Sequence, residues 1–134
     1  MTTGITDLSR LLREMRPGLH PATFVYSTIA LDHPAASLAM SAQGFFREEE
    51  GLTLILERQA ADTAGLSYGP VMRMITLNVH SALEAVGLTA AIAAALTHAG
   101  ISANVVAAYY HDHVFVPEAD AERALQVLQQ LTQA

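Results

Sequence analysis

Ser81, Glu84, Asn104 and the triplet His111-Asp112-His113 are the residues whose types and spacing suit chemistry. Ser81 and Glu84 stand in S-x-x-E spacing, that of a capping box at the start of a helix. A helix start presents unpaired N–H groups and a partial positive charge, which suits a carboxylate. As plain structure the same pair is a cap worth about 1 kcal/mol, and its hydroxyl takes up an N–H that an anion would use. The Asn104 amide can donate to a carboxylate and accept from an ammonium group, or it can satisfy backbone groups at a strand edge. Gly87 would let a ligand or a neighbouring backbone come close.

In an extended chain His111 and His113 project to one face and Asp112 to the other. Two imidazoles on one face are the beginning of a metal site, with His80 the candidate to complete it. The plain alternative is a hairpin turn in which Asp112 accepts from backbone N–H groups. Tyr109 and Tyr110 next to the histidines favour direct contact between this turn and a ligand. A hydrolase built on Ser81 is disfavoured. There is no G-x-S-x-G elbow, and His80 and Ser81 are chain neighbours that point apart. Glu48-Glu49-Glu50 reads as a solvated hairpin tip that would hold a cation weakly.

The elements that position these residues are legible in outline. Asp7 is the expected N-cap of a helix over residues 8–15, with Leu8, Leu11, Leu12 and Met15 as its apolar stripe. Pro17-Gly18 breaks it. Residues 23–31 are β-branched and aromatic and predict a strand. Residues 35–43 suggest one or two helical turns. Residues 44–49 and 52–58 predict a hairpin with Gly51 at its tip. A short helix follows over 59–64, ended by Gly65. The C-terminal part predicts strand 72–80, helix 82–99, strand 101–110, strand 113–116 and helix 118–131. Gly100 stands where a left-handed C-terminal cap belongs. Ile75, Leu77 and Val79 alternate with Thr76, Asn78 and His80.

This is half of a βαββαβ ferredoxin-like domain. The segments LEAVGLTA, AGISANV and YYHDHVFVP, with EEGLTLIL upstream, resemble the ACT domain, a small regulatory module that commonly binds amino acids. The closer similarity is to small stand-alone bacterial ACT-like proteins, over residues 7–131. The resemblance implies an α+β, ferredoxin-like (ACT-like) fold of two tandem half-domains, with antiparallel sheets and helices on one face. We expect a degenerate N-terminal half over 1–70 and a C-terminal half over 71–134. Neither half supplies its own fourth strand, so strands are expected to be shared between halves or between subunits. The resemblance also implies a ligand near the turn after the first strand. The matching positions are Ser81, Leu83, Glu84, Ala85, Val86 and Gly87, with Asn104 and Val105 opposite and His111, Asp112 and His113 in the adjacent turn.

Composition excludes several classes. The chain has 134 residues, net charge −6 and seven arginines. None of its residues is lysine, which argues against a nucleic-acid surface and against an anionic membrane. Without cysteine there is no disulfide framework and no thiolate metal site. Neither a signal peptide nor a spanning run is expected, and the expected location is the cytoplasm. With 51% hydrophobic residues, some apolar surface is expected in a subunit interface, giving a homodimer or higher homo-oligomer. The expected function is non-catalytic binding of a small molecule, an amino acid first of all, with no metal and no cofactor, shifting subunit packing. The alternatives are an interaction module with an empty cleft and, behind it, a metal-dependent enzyme on His80, His111 and His113.

Overall fold

The computed structural model describes residue 4 and residues 6–133. The chain forms two compact units. One combines the chain up to Pro21 with Arg73 onward, and the other is Ala22–Met72.

The first unit contains α1 (Leu8–Glu14), the beginning of β1 (Pro17–Ile29), most of β4 (Met72–Leu77), α3 (Leu88–His98), β5 (Asn104–Ala107), β6 (Asp112–Pro117) and α4 (Ala121–Leu131). Its strands are ordered β1-β4-β6-β5. Residues 71–134 supply three of these strands, and β1 supplies the fourth. Alternation along β4 and β6 sends Ile75, Leu77, Val114 and Val116 into one core with Leu11, Met15, Leu88, Ile92, Leu96 and Leu128 of the helices. The helices therefore cover one face of this sheet. Asp7 caps α1 by accepting from Ser9 N–H at 3.0 Å.

The second unit holds the rest of β1, a 3-10 helix (Pro34–Met40), β2 (Gly44–Glu48), β3 (Gly51–Glu57) and α2 (Arg58–Thr63). Its strands are ordered β2-β3-β1, antiparallel, with Ser27 opposite Leu54 and Phe45 opposite Leu54 on the other side. Val25, Ile29, Leu52, Leu54, Leu56 and Ala61 form its core. Buried Ser27 donates from Oγ to Ser67 O at 2.7 Å.

Three expectations are corrected. The first strand begins at Pro17, not residue 23. Pro17-Gly18 ends α1, but a proline at a strand start lacks only a donor that need not be paired. Pro21 also fits, because β3 pairs with β1 only over Phe24–Ile29. The strands expected over 72–80 and 101–110 shrink to β4 and β5. After β4 the backbone makes successive tight turns, with Val79 N–H donating to Leu77 O and Ser81 N–H to Val79 O. The helix expected over 82–99 starts at Leu88. Its N-cap is Gly87 at φ 100°, with no side-chain cap. The Ser81/Glu84 capping box therefore does not form. A left-handed residue cannot sit inside a right-handed helix, so Gly87 sets the boundary.

The helix expected over 118–131 opens with a 3-10 turn, Glu118–Asp120, before α4, whereas the helix ends marked by glycine match expectation. Gly100 (φ 74°) closes α3 in a Schellman motif, with Ile101 N–H donating to Leu96 O at 2.9 Å and Gly100 N–H to Thr97 O at 2.9 Å. Gly65 (φ 70°) closes α2 in the same way. Gly51 differs from Gly65. A Cβ at Gly51 would lie 2.4 Å from Ile29 O, whereas a Cβ at Gly65 would meet nothing within 4 Å. Gly65→Ala should therefore cost about 1 kcal/mol of left-handed strain, while Gly51→Ala should cost clearly more because backbone must also move. Urea unfolding of the two variants measures the difference, and equal losses would contradict the clash.

Candidate functional site

Within the first unit, the loop between β4 and α3 lies beside the β5–β6 hairpin. A pocket of about 60 Å³ opens between them. Ser81, Ala82, Leu83, Ala85, Leu88 and Thr89 line one side, and Ala107 and Asp112 the other. Ala107 and Asp112 are directly paired across β5 and β6, so their side chains share a face. That volume accommodates a few water-sized groups. It admits a small polar head, not a large side chain.

The start of α3 forms part of the lining. Because Gly87 has no side chain, the first N–H groups of α3 receive no side-chain cap. Gly87 itself packs on α1: a Cβ there would lie 3.0 Å from Leu8 Cδ2. Its role is conformational, and Leu8 occupies the space beside it. Gly4 also abuts the loop, with an added Cβ falling 2.4 Å from Ala82 N.

Asp112 is 7% exposed. Burial pushes its carboxyl above the usual range, and the charges of His113 and His111 act the other way. The pocket thus pairs an uncapped helix start with a buried acid.

The remaining candidates are distributed as follows. Ser81 is buried and Leu83 and Ala85 line the pocket, while Glu84 is exposed and outside the lining. Val86 is 83% exposed. Asn104 is exposed and pairs with Phe115, three residues along β5 from Ala107 and on the other face of the strand. That separation is about 10 Å. Val105 packs on the core. His111 and His113 lie on the face away from the pocket. Nδ1–H of His111 donates to Val79 O at 3.2 Å. Nδ1 of His113 is hydrogen-bonded to Thr76 Oγ1 at 2.9 Å. The His80 ring packs against Tyr110 with centroids 5.0 Å apart, and Tyr110 meets Tyr109 edge-on at 4.9 Å. Among the described residues no three His, Asp or Glu side chains are placed to hold a metal ion. Ala82, Leu88, Thr89 and Ala107 were not legible as site residues. Alanine contributes only space, which leaves no local mark in a sequence.

His113 carries a pH consequence. Burial pushes its pKa below the ordinary 6.5, His111 adds to this, and Asp112 opposes it. Above 6.5 the ring is neutral in folded and unfolded chains alike. As pH falls below 6.5 the unfolded chain binds the proton first, so stability is lost down to the depressed folded value. Asp112 acts in the opposite sense: its raised pKa favours the folded state at low pH, an advantage lost as pH rises from 3.8 through the folded value. The thermal midpoint should therefore fall less steeply below pH 6.5 in His113→Gln than in the native chain, read by circular dichroism. Equal slopes would contradict a half-buried, neutral His113.

Comparison with known proteins agrees with this architecture. ACT-domain family models match residues 3–73 and 71–130. None of the curated proteins matches this chain. A Vibrio cholerae protein of unknown function, described as a possible transport protein, is 46% identical over 98% of this chain and 100% of that one, with a TM-score of 0.83. The Agrobacterium tumefaciens protein Atu0741 is 14% identical over 88% of this chain and 89% of that one, with a TM-score of 0.74. The ligand-free regulatory subunit of aspartate kinase from Thermus thermophilus is 13% identical over 90% of this chain and 97% of that one, with a TM-score of 0.66. At such identities the last two share the fold alone. The two family matches together run from residue 3 to residue 130, and the chain belongs to the ACT-domain family.

Proposed function

We propose that this chain is a non-catalytic regulatory protein that binds a small amino acid in the pocket between the β4–α3 loop and the β5–β6 hairpin. The observation that carries the proposal is the uncapped start of α3 in the pocket wall. Unpaired N–H groups with the positive end of a helix dipole suit a carboxylate, and no side chain of the N-cap competes for them. Pocket size favours a small ligand. The fold shared with an aspartate kinase regulatory subunit is consistent with a regulatory role.

Ligand binding would favour one arrangement of this loop and hairpin over others, and such a bias is the means by which a regulatory module acts on what it contacts. The loop and hairpin are already joined through His111 and Val79 O. A homodimer is the assembly we favour, because β2 and β5 each end a strand order and leave an edge for pairing. A second reading, a protein-interaction module, draws on exposed apolar side chains of the other unit: Met40 is 88% exposed and Phe46 71%.

Thermal unfolding against the twenty amino acids tests the proposal. A ligand that binds only the folded state raises the midpoint in a concentration-dependent way. The expected result is a selective rise with one or a few small amino acids. Ala107→Leu should abolish the rise by filling the pocket, and Asn104→Ala should leave it. No rise at millimolar concentration, or a rise that survives Ala107→Leu, would overturn the proposed site.

A further inference from the structure

We infer that Asp112 is the ammonium-recognising group of this pocket, so that the protein selects α-amino acids over the corresponding α-hydroxy acids. This rests on the proposed ligand-binding role of the pocket and adds the chemistry of its second wall.

Three observations converge. Asp112 lines the pocket and is more than nine-tenths buried. Strand register sets its face: Ala107 and Asp112 are paired, so their side chains share one face, and both line the pocket. The opposite wall is the start of α3, whose partial charge is positive. A pocket with a helix start on one side and a carboxylate on the other is complementary to a zwitterion: the ligand carboxylate faces Leu88 and Thr89, and its ammonium faces Asp112. A ligand with a hydroxyl in place of the ammonium keeps the first contact and loses the second. A dicarboxylate would bring a further negative charge toward Asp112. In an interior of low effective dielectric, either mismatch counts for more than it would in water.

The placement also explains a buried acid that is otherwise costly. A carboxylate taken out of water without a donor disfavours the folded state unless it stays protonated or gains a partner. Burial raises the Asp112 pKa, and a ligand ammonium beside it would favour the charged carboxylate. The neighbouring His111 and His113 are set on the other face of the hairpin and donate elsewhere or bond Thr76. Among the described residues that line the pocket, none is a Lys, Arg or His.

The test is calorimetric titration of the full chain with three matched pairs: glycine and glycolate, alanine and lactate, serine and glycerate. In the native chain at least one amino acid should bind at least about tenfold tighter than its hydroxy partner, as expected for losing a charge-assisted hydrogen bond. Asp112→Asn, near in shape, should weaken that amino acid about tenfold or more and bring the pair close to equal affinity. Equal binding of the two members of each pair by the native chain would overturn the role of Asp112 while leaving the pocket as a carboxylate site. Retained discrimination in Asp112→Asn would do the same. The comparison within the native chain stands even if Asp112→Asn does not fold. Binding of neither member of any pair would overturn both this inference and the proposed function.

Discussion

The left-handed backbone of Gly87 is the constraint on which the site depends. At φ 100° this residue cannot belong to α3, so the helix must begin one residue later. Its missing side chain leaves the first N–H groups of α3 uncapped, and it lets Leu8 of α1 close in from the side. Any other residue would carry a Cβ at 3.0 Å from Leu8 Cδ2 in a conformation that disfavours side chains. One backbone angle thus determines where the helix starts, how α1 seats against it, and what the pocket wall offers to a ligand.

The second determinant is strand register. Pairing of Ala107 with Asp112 places a small residue and an acid together on the helix-covered face. A one-residue slip would exchange Asp112 for His111 or His113 at the pocket. The same register divides the hairpin by chemistry. Its covered face carries the acid, and its open face carries the histidines, which bond Val79 O and Thr76. His111 therefore ties the hairpin to the β4–α3 loop, and His113 ties it to β4. A ligand wedged on one side would be felt by the contacts on the other.

Much of the fold was legible in the sequence because local rules and tertiary packing agree there. The stripe of Leu8, Leu11, Leu12 and Met15 specifies α1 and its buried face. Gly51, Gly65 and Gly100 mark turns that no other residue would adopt cheaply. The alternation of Ile75 and Leu77 with Thr76 assigns the faces of β4. The site was less legible, for identifiable reasons. Ser81 and Glu84 satisfy a helix-start pattern, but the glycine downstream outweighs it. Nothing local extends β1 back to Pro17, because that stretch is held by pairing with a strand more than fifty residues away in the chain. Asn104 has the right chemistry for an amino-acid ligand, yet register places it at the far end of β5 and on the other face. Ala107 has no chemistry at all and matters through the space it leaves.

The most direct measurement is an amide shift map by heteronuclear NMR during titration with the amino acid that most raises the unfolding midpoint. If the pocket is the site, the largest changes fall on Ala82–Thr89, Ala107 and Asp112, with smaller ones reaching Val79 through His111. Changes centred on Asn104 and Phe115, or on the exposed Phe46 of the other unit, would contradict it.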